Sequence, residues 1–389
     1  MNQLFFYIAY HETTWAVLTA KVFLSFNRSG VVNQNMKVVV KMSQAKVLAV
    51  GLAVPEFQLD QSTIKKYIEM LFSKEVRNLE KLLRVFDNAG IKTRYLARPL
   101  EWYAENHTFA ESNRIYEAVT LELTERAVRQ ALDRANLDPG EIGAIVFVSS
   151  TGIATPTIDA KLISKLGLSP HLIRVPIWGL GCAGGAAGLA RAAELARSLP
   201  GKAVLLVAAE LCSLTFQRND FSKANLVGTG LFADGAAAAI LSAKGHGPVV
   251  LGSLSTLFSQ SEDVMGWDVV ETGLKVRFSR DIPTIVRENL PELMDVASLA
   301  WEIDQKDIQH FIVHPGGPKV IQAYVESLQL DPEQVKEAHQ VLEQFGNMSS
   351  VSVLFVLERY LQNHSPTQQY GVILALGPGF SAEQVLFKW

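Results

Sequence analysis

The sequence predicts an α/β protein made of two similar halves, and three observations lead there. Short β-branched runs alternate with longer helical patterns from residue 46 onward, as in proteins whose sheets are covered on both faces. A faint internal repeat relates the first part of the chain to the second. The 389 residues are 48% hydrophobic, enough apolar material for a large core or two fused half-domains rather than one small module.

The chain opens on a segment unlike the rest. Leu4 to Tyr10 is apolar, but His11 and Glu12 interrupt it, and Lys21 breaks the next apolar stretch, Trp15 to Phe26. Neither piece is long enough to span a bilayer. No basic residue precedes the first and no small-residue cleavage site follows the second, so a signal peptide is not expected either. Residues 1–41 are read as a dispensable extension, with Met42 as the expected natural start. The folded part then begins with Lys46-Val47-Leu48-Ala49-Val50-Gly51, a strand running into a glycine turn. Buried strands are predicted at Ala144 to Val148, Ala203 to Val207, Ala236 to Leu241, Phe311 to Val313 and Val372 to Ala375.

The repeat joins these elements. An acidic turn, Leu137 to Ile142, leads into the strand at Ala144, and Ile303 to Ile308 leads in the same way into the strand at Phe311. Gly181-Cys182-Ala183-Gly184-Gly185 opens a helix, Ala186 to Arg197, and then a strand. Gly346-Asn347-Met348-Ser349-Ser350 opens a helix, Val351 to Gln362, and then a strand. If the halves are duplicated, placed at 42–245 and 246–389, Cys182 and Asn347 stand at matching helix N-termini and face one another across a pseudo-two-fold axis. Helix–turn–strand units also resemble each other in any α/β protein.

Composition excludes several classes. Two cysteines cannot build a disulfide framework, and no histidines stand at ligand-like spacing for a metal, which fits a reducing compartment. A net charge of −3 argues against a broad nucleic-acid surface.

Three residues could carry chemistry. Cys182 lies among glycines 179, 181, 184 and 185 at a helix N-terminus, where unpaired N–H groups favour a thiolate and lower its pKa. A free cysteine is otherwise a small buried hydrophobe, the reading given to Cys212. The same loop fits G-x-G-x-x-G, with Glu210 closing the next strand, so a nicotinamide dehydrogenase is a rival. His314 ends a predicted strand at the Pro315-Gly316-Gly317-Pro318 turn, a place for a site or for a structural histidine. Asn347 is a site residue or an N-cap. Together the three suggest an acyl thioester on cysteine, with imidazole and amide donating to the oxygen of an enolate left when a malonyl thioester loses CO₂. A Cys/His/Asn hydrolase would use the same groups, although nothing marks a peptide cleft.

These residues lie in five blocks: the loop at Cys182, Phe232-Ala233-Asp234-Gly235-Ala236-Ala237, His314 to Pro318, Gly346 to Ser350 and Gly377-Pro378-Gly379-Phe380. In that order they resemble the type III polyketide synthases, the chalcone and stilbene synthase family of the thiolase superfamily, from about Lys46 to the C-terminus. The initiating β-ketoacyl synthases share Cys, His and Asn but follow the histidine with Gln-Ala-Asn. The resemblance implies a thiolase-like fold, two pseudo-duplicated halves in αβαβα layers. It implies an acyltransferase with Cys182 as acyl carrier and His314 and Asn347 as oxyanion donors, using acyl-CoA and malonyl-CoA. It also implies a cytoplasmic homodimer with no metal or redox cofactor.

By the same resemblance Phe232 stands between CoA tunnel and cavity, and Lys81 and Arg84 meet CoA phosphates. The third basic position of that cluster is Asn88 here, which weakens the contact. Thr215 and Val276 fall at cavity positions, and Val276 replaces a large aromatic. Thr155 replaces a methionine contributed across the dimer, so a roomier pocket is expected. Gly316, Gly317 and Ser349 are placed against the substrate. Features near Met265-Gly266-Trp267-Asp268 resemble bacterial members, from which a fatty acyl starter and an alkylpyrone or resorcinol product are expected. A non-catalytic binding protein of the same fold is the non-enzyme alternative, which intact Cys, His and Asn oppose.

Overall fold

The computed structural model describes residues 44–278 and 282–389; the expectations for residues 1–41 and for Met42 lie outside them. The first half runs β1 (Ala45–Ala53), β2 (Phe57–Asp60), α1 (Gln61–Phe72), α2 (Leu79–Asp87), β3 (Thr93–Leu96), α3 (Phe109–Ala135), β4 (Ile142–Val148), α4 (Ile158–Leu166), β5 (Ile173–Ile177), α5 (Gly184–Ser198), β6 (Ala203–Leu211), α6 (Lys223–Leu231) and β7 (Asp234–Ser242). The second runs β8 (Val249–Leu257), β9 (Met265–Val270), β10 (Gly273–Phe278), α7 (Ile282–Trp301), β11 (Ile308–Val313), α8 (Pro318–Leu328), α9 (Lys336–Phe345), α10 (Ser352–Asn363), β12 (Tyr370–Gly377) and β13 (Ser381–Lys388).

Nine strands form one sheet in the order β11-β12-β13-β8-β1-β7-β6-β4-β5. The repeat seen in the sequence is written into its pairing. β4 and β6 are parallel, β6 and β7 antiparallel, β7 and β1 antiparallel. β11 and β12, β12 and β13, and β13 and β8 follow the same pattern. The two series meet where β1 pairs antiparallel with β8 at Ala45 and Lys46. Both acidic turns fold as short 3₁₀ turns, Pro139–Glu141 after Asp138 and Gln305–Asp307 after Asp304.

Layering follows from alternation along strands buried on both faces. Ala144, Val146 and Val148 of β4 join a core with the α5 alanines, whereas Ile145 and Phe147 join one with α3 and α4. α5 packs against β4, β6 and β7 of the first half, against β12 and β13 of the second, and against α10. It is therefore an interior layer, and small residues let it be one: Gly184 to Ala190, Ala192, Ala193 and Ala196 are all buried. α3 covers the outer face of the first half, while α7 and α8 pack together on the second.

Candidate active site

The two loops at the inner ends of α5 and α10 meet. Cys182 sits in the 3₁₀ turn Gly181–Ala183 that opens α5, and Ser349–Val351 is the matching turn before α10. Gly185 makes the meeting sterically possible, and Gly181 lets the same loop pack on the turn between β12 and β13. Gly181 takes φ +46°, and a Cβ there would lie 2.7 Å from Pro378 Cδ; a Cβ on Gly185 would lie 2.1 Å from the Ser350 carbonyl oxygen. The backbones touch where any side chain would hold them apart.

Around Cys182 the structure gathers Ser349 and Asn347, whose side chains stand near enough to the sulfur to favour its charged form. Ser349 holds φ +49°, a left-handed conformation unusual for serine, and its amide donates to Asn347 Oδ1 at 2.8 Å. Asn347 Nδ2 donates to the Gly316 carbonyl at 3.1 Å, and the Gly316 amide donates to the His314 carbonyl at 2.9 Å. A Cβ on Gly316 would lie 3.5 Å from His314 Cδ2. The cysteine, asparagine and histidine segments, 165 residues apart at their extremes in sequence numbering from Cys182 to Asn347, thus adjoin in one buried site. Asn347 is not the N-cap of α10, a place held by Val351; its side chain fixes the turn ahead of that helix.

Electrostatics here differ from the sequence expectation for the thiol. Burial pushes the Cys182 pKa up to about 12, and the Glu210 carboxyl adds to the rise; Ser349, its own backbone and Asn347 oppose it without prevailing. The helix N-terminus does not make a resting thiolate, because loss of water costs the charged sulfur more than these donors return. Burial likewise holds His314 down at about 3, so the imidazole is neutral at pH 7. Neither ring nitrogen has a hydrogen-bond partner among the described residues.

Glu210 is wholly buried on β6. Its carboxylate accepts from the Ser150 amide and Thr151 Oγ1, both at 2.9 Å, and from Ser350 Oγ at 2.6 Å. An acid committed to these donors beneath the cysteine loop is not placed as a ribose ligand, which removes the structural support for the dinucleotide reading.

Thr215, Phe232 and Val276 line one slim cavity of about 50 Å³, with Ile64, Leu96 and Phe216 supplying apolar wall. Phe232 joins it to the loop of Asn347: the two residues bridge in parallel, Ala233 N donates to Asn347 O and Asn347 N to Leu231 O, both at 2.9 Å. Trp267 and Phe278 pack on the Phe232 ring at centroid distances of 5.9 and 5.6 Å.

Other expected residues lie apart. Lys81 and Arg84 are exposed on α2, opposite its buried Leu79, Leu83 and Phe86, and Asn88 caps that helix. α2 packs against α6, the helix that leads to Phe232. Gly317, the N-cap of α8, lies in the turn after His314. Thr155 is exposed on the loop before α4, joined to Pro156 by a cis peptide bond, and lines no part of the Phe232 cavity.

Sequence reasoning missed several neighbours. Cys212, read as packing, lines the cavity with Phe232 and Val276. Arg94, Tyr103 and Ser213 also line it. Ser213 donates to Asp234, whose carboxyl burial pushes up to about 6. A lone arginine in a short strand carries no motif; its burial comes only from tertiary closure.

Known proteins share this arrangement of chain and fold. The N-terminal domain model of chalcone and stilbene synthases matches residues 32–245 and the C-terminal domain model residues 250–389. A chalcone synthase-like protein of Bacillus subtilis (strain 168) is 43% identical over 360 residues, covering 89% of this chain and 99% of its own. The 1,3,6,8-tetrahydroxynaphthalene synthase of Streptomyces peucetius subsp. caesius is 38% identical over 350 residues, covering 88% and 93%. Among solved structures, the C-terminal type III polyketide synthase domain of Steely1 from Dictyostelium superposes with a TM-score of 0.83 at 32% identity, covering 89% of this chain and 99% of that one. The tetrahydroxynaphthalene synthase of Streptomyces coelicolor A3(2) gives 0.85 at 29%, covering 88% and 99%. With the thiolase-like fold and both family domains present, the chain belongs to the chalcone and stilbene synthase family and is an acyltransferase of the type III polyketide synthase class.

Proposed function

We propose that the protein loads an acyl-CoA starter on Cys182 and extends it with malonyl-CoA, using His314 and Asn347 as oxyanion donors. The observation that carries this is the joining of three segments: Ser349 and Asn347 stand beside the sulfur, and Asn347 Nδ2 donates to the turn that follows His314. In loading, sulfur attacks the starter carbonyl, CoA leaves with the thiol proton, and a thioester remains. The bound malonyl thioester then loses CO₂, and the resulting enolate oxygen is held by the neutral imidazole and amide. Its carbon attacks the acyl thioester, a carbon–carbon bond forms, and the Cys182 sulfur is released. A histidine held neutral suits a donor that must not compete as a buried charge. The chemistry uses no metal or redox cofactor.

The finer reading is a fatty acyl starter and an alkylpyrone- or resorcinol-type product. The apolar wall of Ile64, Ile68, Leu96, Leu100 and Phe216 supports an aliphatic chain. Lys81 and Arg84 supply positive charge for CoA phosphates from the exposed face of α2. A homodimer is favoured by β5, an edge strand of the sheet. Ile173 on it, with Trp178 and Ile153 beside it, is 44%, 53% and 46% exposed in that order, and a second copy would cover them near Thr155. No helix among the described residues is long and apolar enough to cross a membrane, and both cysteines are free, which suits the cytoplasm. Incubation with malonyl-CoA and a panel of acyl-CoA starters, followed by mass spectrometry, tests the whole reading. Chains lengthened by two-carbon steps are expected, and CoA release without any carbon–carbon product from every starter would overturn it.

A further inference from the structure

We infer that Arg94 is a positioning residue that ties the Phe232 wall of the cavity to the loop of Asn347; this deepens the proposed reaction and rests on it. Arg94 lies on β3 with 2% of its surface exposed. Its Nη1 donates to the carbonyls of Thr229 at 2.7 Å and Phe232 at 2.6 Å. These oxygens belong to the last turn of α6 and the residue that caps it. A buried cation there meets the negative end of the helix, and a bond donated by a charged group is stronger than one between neutral groups.

The stem of the same side chain reaches the second half. Gly346 holds φ +71°, and a Cβ on it would lie 2.9 Å from both Arg94 Cγ and Cδ. The backbone just before Asn347 therefore rests on the arginine methylenes. Leu231 and Ala233, on either side of the Phe232 carbonyl that Arg94 grips, hold the Asn347 backbone. One side chain thus fixes a cavity wall from the first half and an oxyanion donor from the second. Burial lowers its pKa to about 10, so it stays charged at neutral pH, with Asp234 opposing the fall.

Lysine carries the charge but concentrates its donors at one nitrogen on a flexible stem, so it serves as a partial replacement. Without the grip, Phe232 and Asn347 shift relative to Cys182. A displacement on the order of 1 Å at a reacting centre costs roughly a hundredfold in rate. Water entering past Phe232 also protonates the enolate before it reaches the thioester.

The test compares Arg94→Met and Arg94→Lys with wild type. Circular dichroism and Tm report folding, kcat and KM for malonyl-CoA are measured, and released CO₂ is counted against carbon–carbon bonds formed. Folded Arg94→Met is expected to lose about ten- to a hundredfold in kcat with little change in KM. It is also expected to form fewer bonds per CO₂ and shorter products, with Arg94→Lys in between. The ratio of bonds to CO₂ does not depend on how much protein is folded, so a role in folding alone would leave it unchanged. A wild-type ratio and product distribution in folded Arg94→Met overturns the inference, and where methionine does not fold, the same result in Arg94→Lys does so. If wild type itself forms no carbon–carbon product, the proposed reaction fails and the inference falls with it.

Discussion

Replacing Glu210 with glutamine should change how stability depends on pH, by an amount the structure sets. Burial raises the carboxyl from 4.5 to about 7 in spite of its three donors. Between these values the unfolded chain gives up a proton that the folded chain keeps. Unfolding therefore releases protons, and stability falls as pH rises. The contribution is fully present below about 4.5 and gone above about 7. At ~1.36 kcal/mol per pH unit it amounts to about 3 kcal/mol in all, of which about 2.5 kcal/mol is lost between pH 5 and 8. Glu210→Gln keeps the shape: its carbonyl can accept from Ser150 and Thr151, and the Ser350 hydroxyl can rotate to accept from the amide. Asp234, whose pKa is also raised, to about 6, contributes to both proteins and cancels in the comparison. Urea unfolding of wild type and variant at pH 5 and 8 measures the difference. Wild type should lose about 2.5 kcal/mol more than the variant over that interval. A gap between the two proteins that is equal at both pH values, or that moves in wild type's favour as pH rises, refutes the argument.

Other expectations concern the chemistry and its walls. Cys182→Ala should abolish chain extension yet still release CO₂ from malonyl-CoA, whereas Asn347→Ala should slow both by ~10²- to 10³-fold; parallel loss of decarboxylation in the two variants contradicts their separate roles. With a thiol pKa of about 12, alkylation of Cys182 by iodoacetamide should rise about tenfold per pH unit from 7 to 9, and a plateau by pH 8 would show a thiolate already formed. Gly185→Ala drives a methyl into the Ser350 carbonyl and should cost about 1–3 kcal/mol or more, read as a fall in Tm; an unchanged Tm would mean the helices separate freely. Val276→Phe should shorten the products seen by mass spectrometry, since its side chain fills the same cavity as Phe232 and Thr215, and an unaltered product profile would remove Val276 from the wall.

Much of this architecture is legible in the chain because local and global signals agree. The strand predicted at Ala203 to Val207 is the first part of β6, which runs on to Leu211, and that at Phe311 to Val313 ends β11. Helices predicted at Ala186 and Val351 begin within two residues of α5 and α10. Their small, apolar or glycine-punctuated runs have no other way to bury themselves. β8 is harder to see because it is only partly buried along most of its length, and the β9–β10 hairpin carries Trp267 and Asp268 in a mixed pattern. The thiol pKa was beyond reach for a different reason. A helix N-terminus is visible as glycines before an apolar run, but the desolvation that outweighs it depends on the second half closing over Cys182. Arg94 was missed on similar grounds: its partners Thr229, Phe232 and Gly346 lie up to 252 positions away, and only the folded backbone brings them to it.

The provenance of the cavity lining has its own consequence. Every residue around it comes from Ile64 to Phe232 except Val276, which arrives on the hairpin, while His314 and Asn347 sit on later segments. In the proposed reaction the two oxyanion donors and most of the size-selecting wall are consequently carried by different stretches of polypeptide, with Cys182 on the stretch that supplies the wall. Substitution on the hairpin can retune which chain is accepted while the reacting groups keep their places, giving descendants of such a chain a short mutational path to new products.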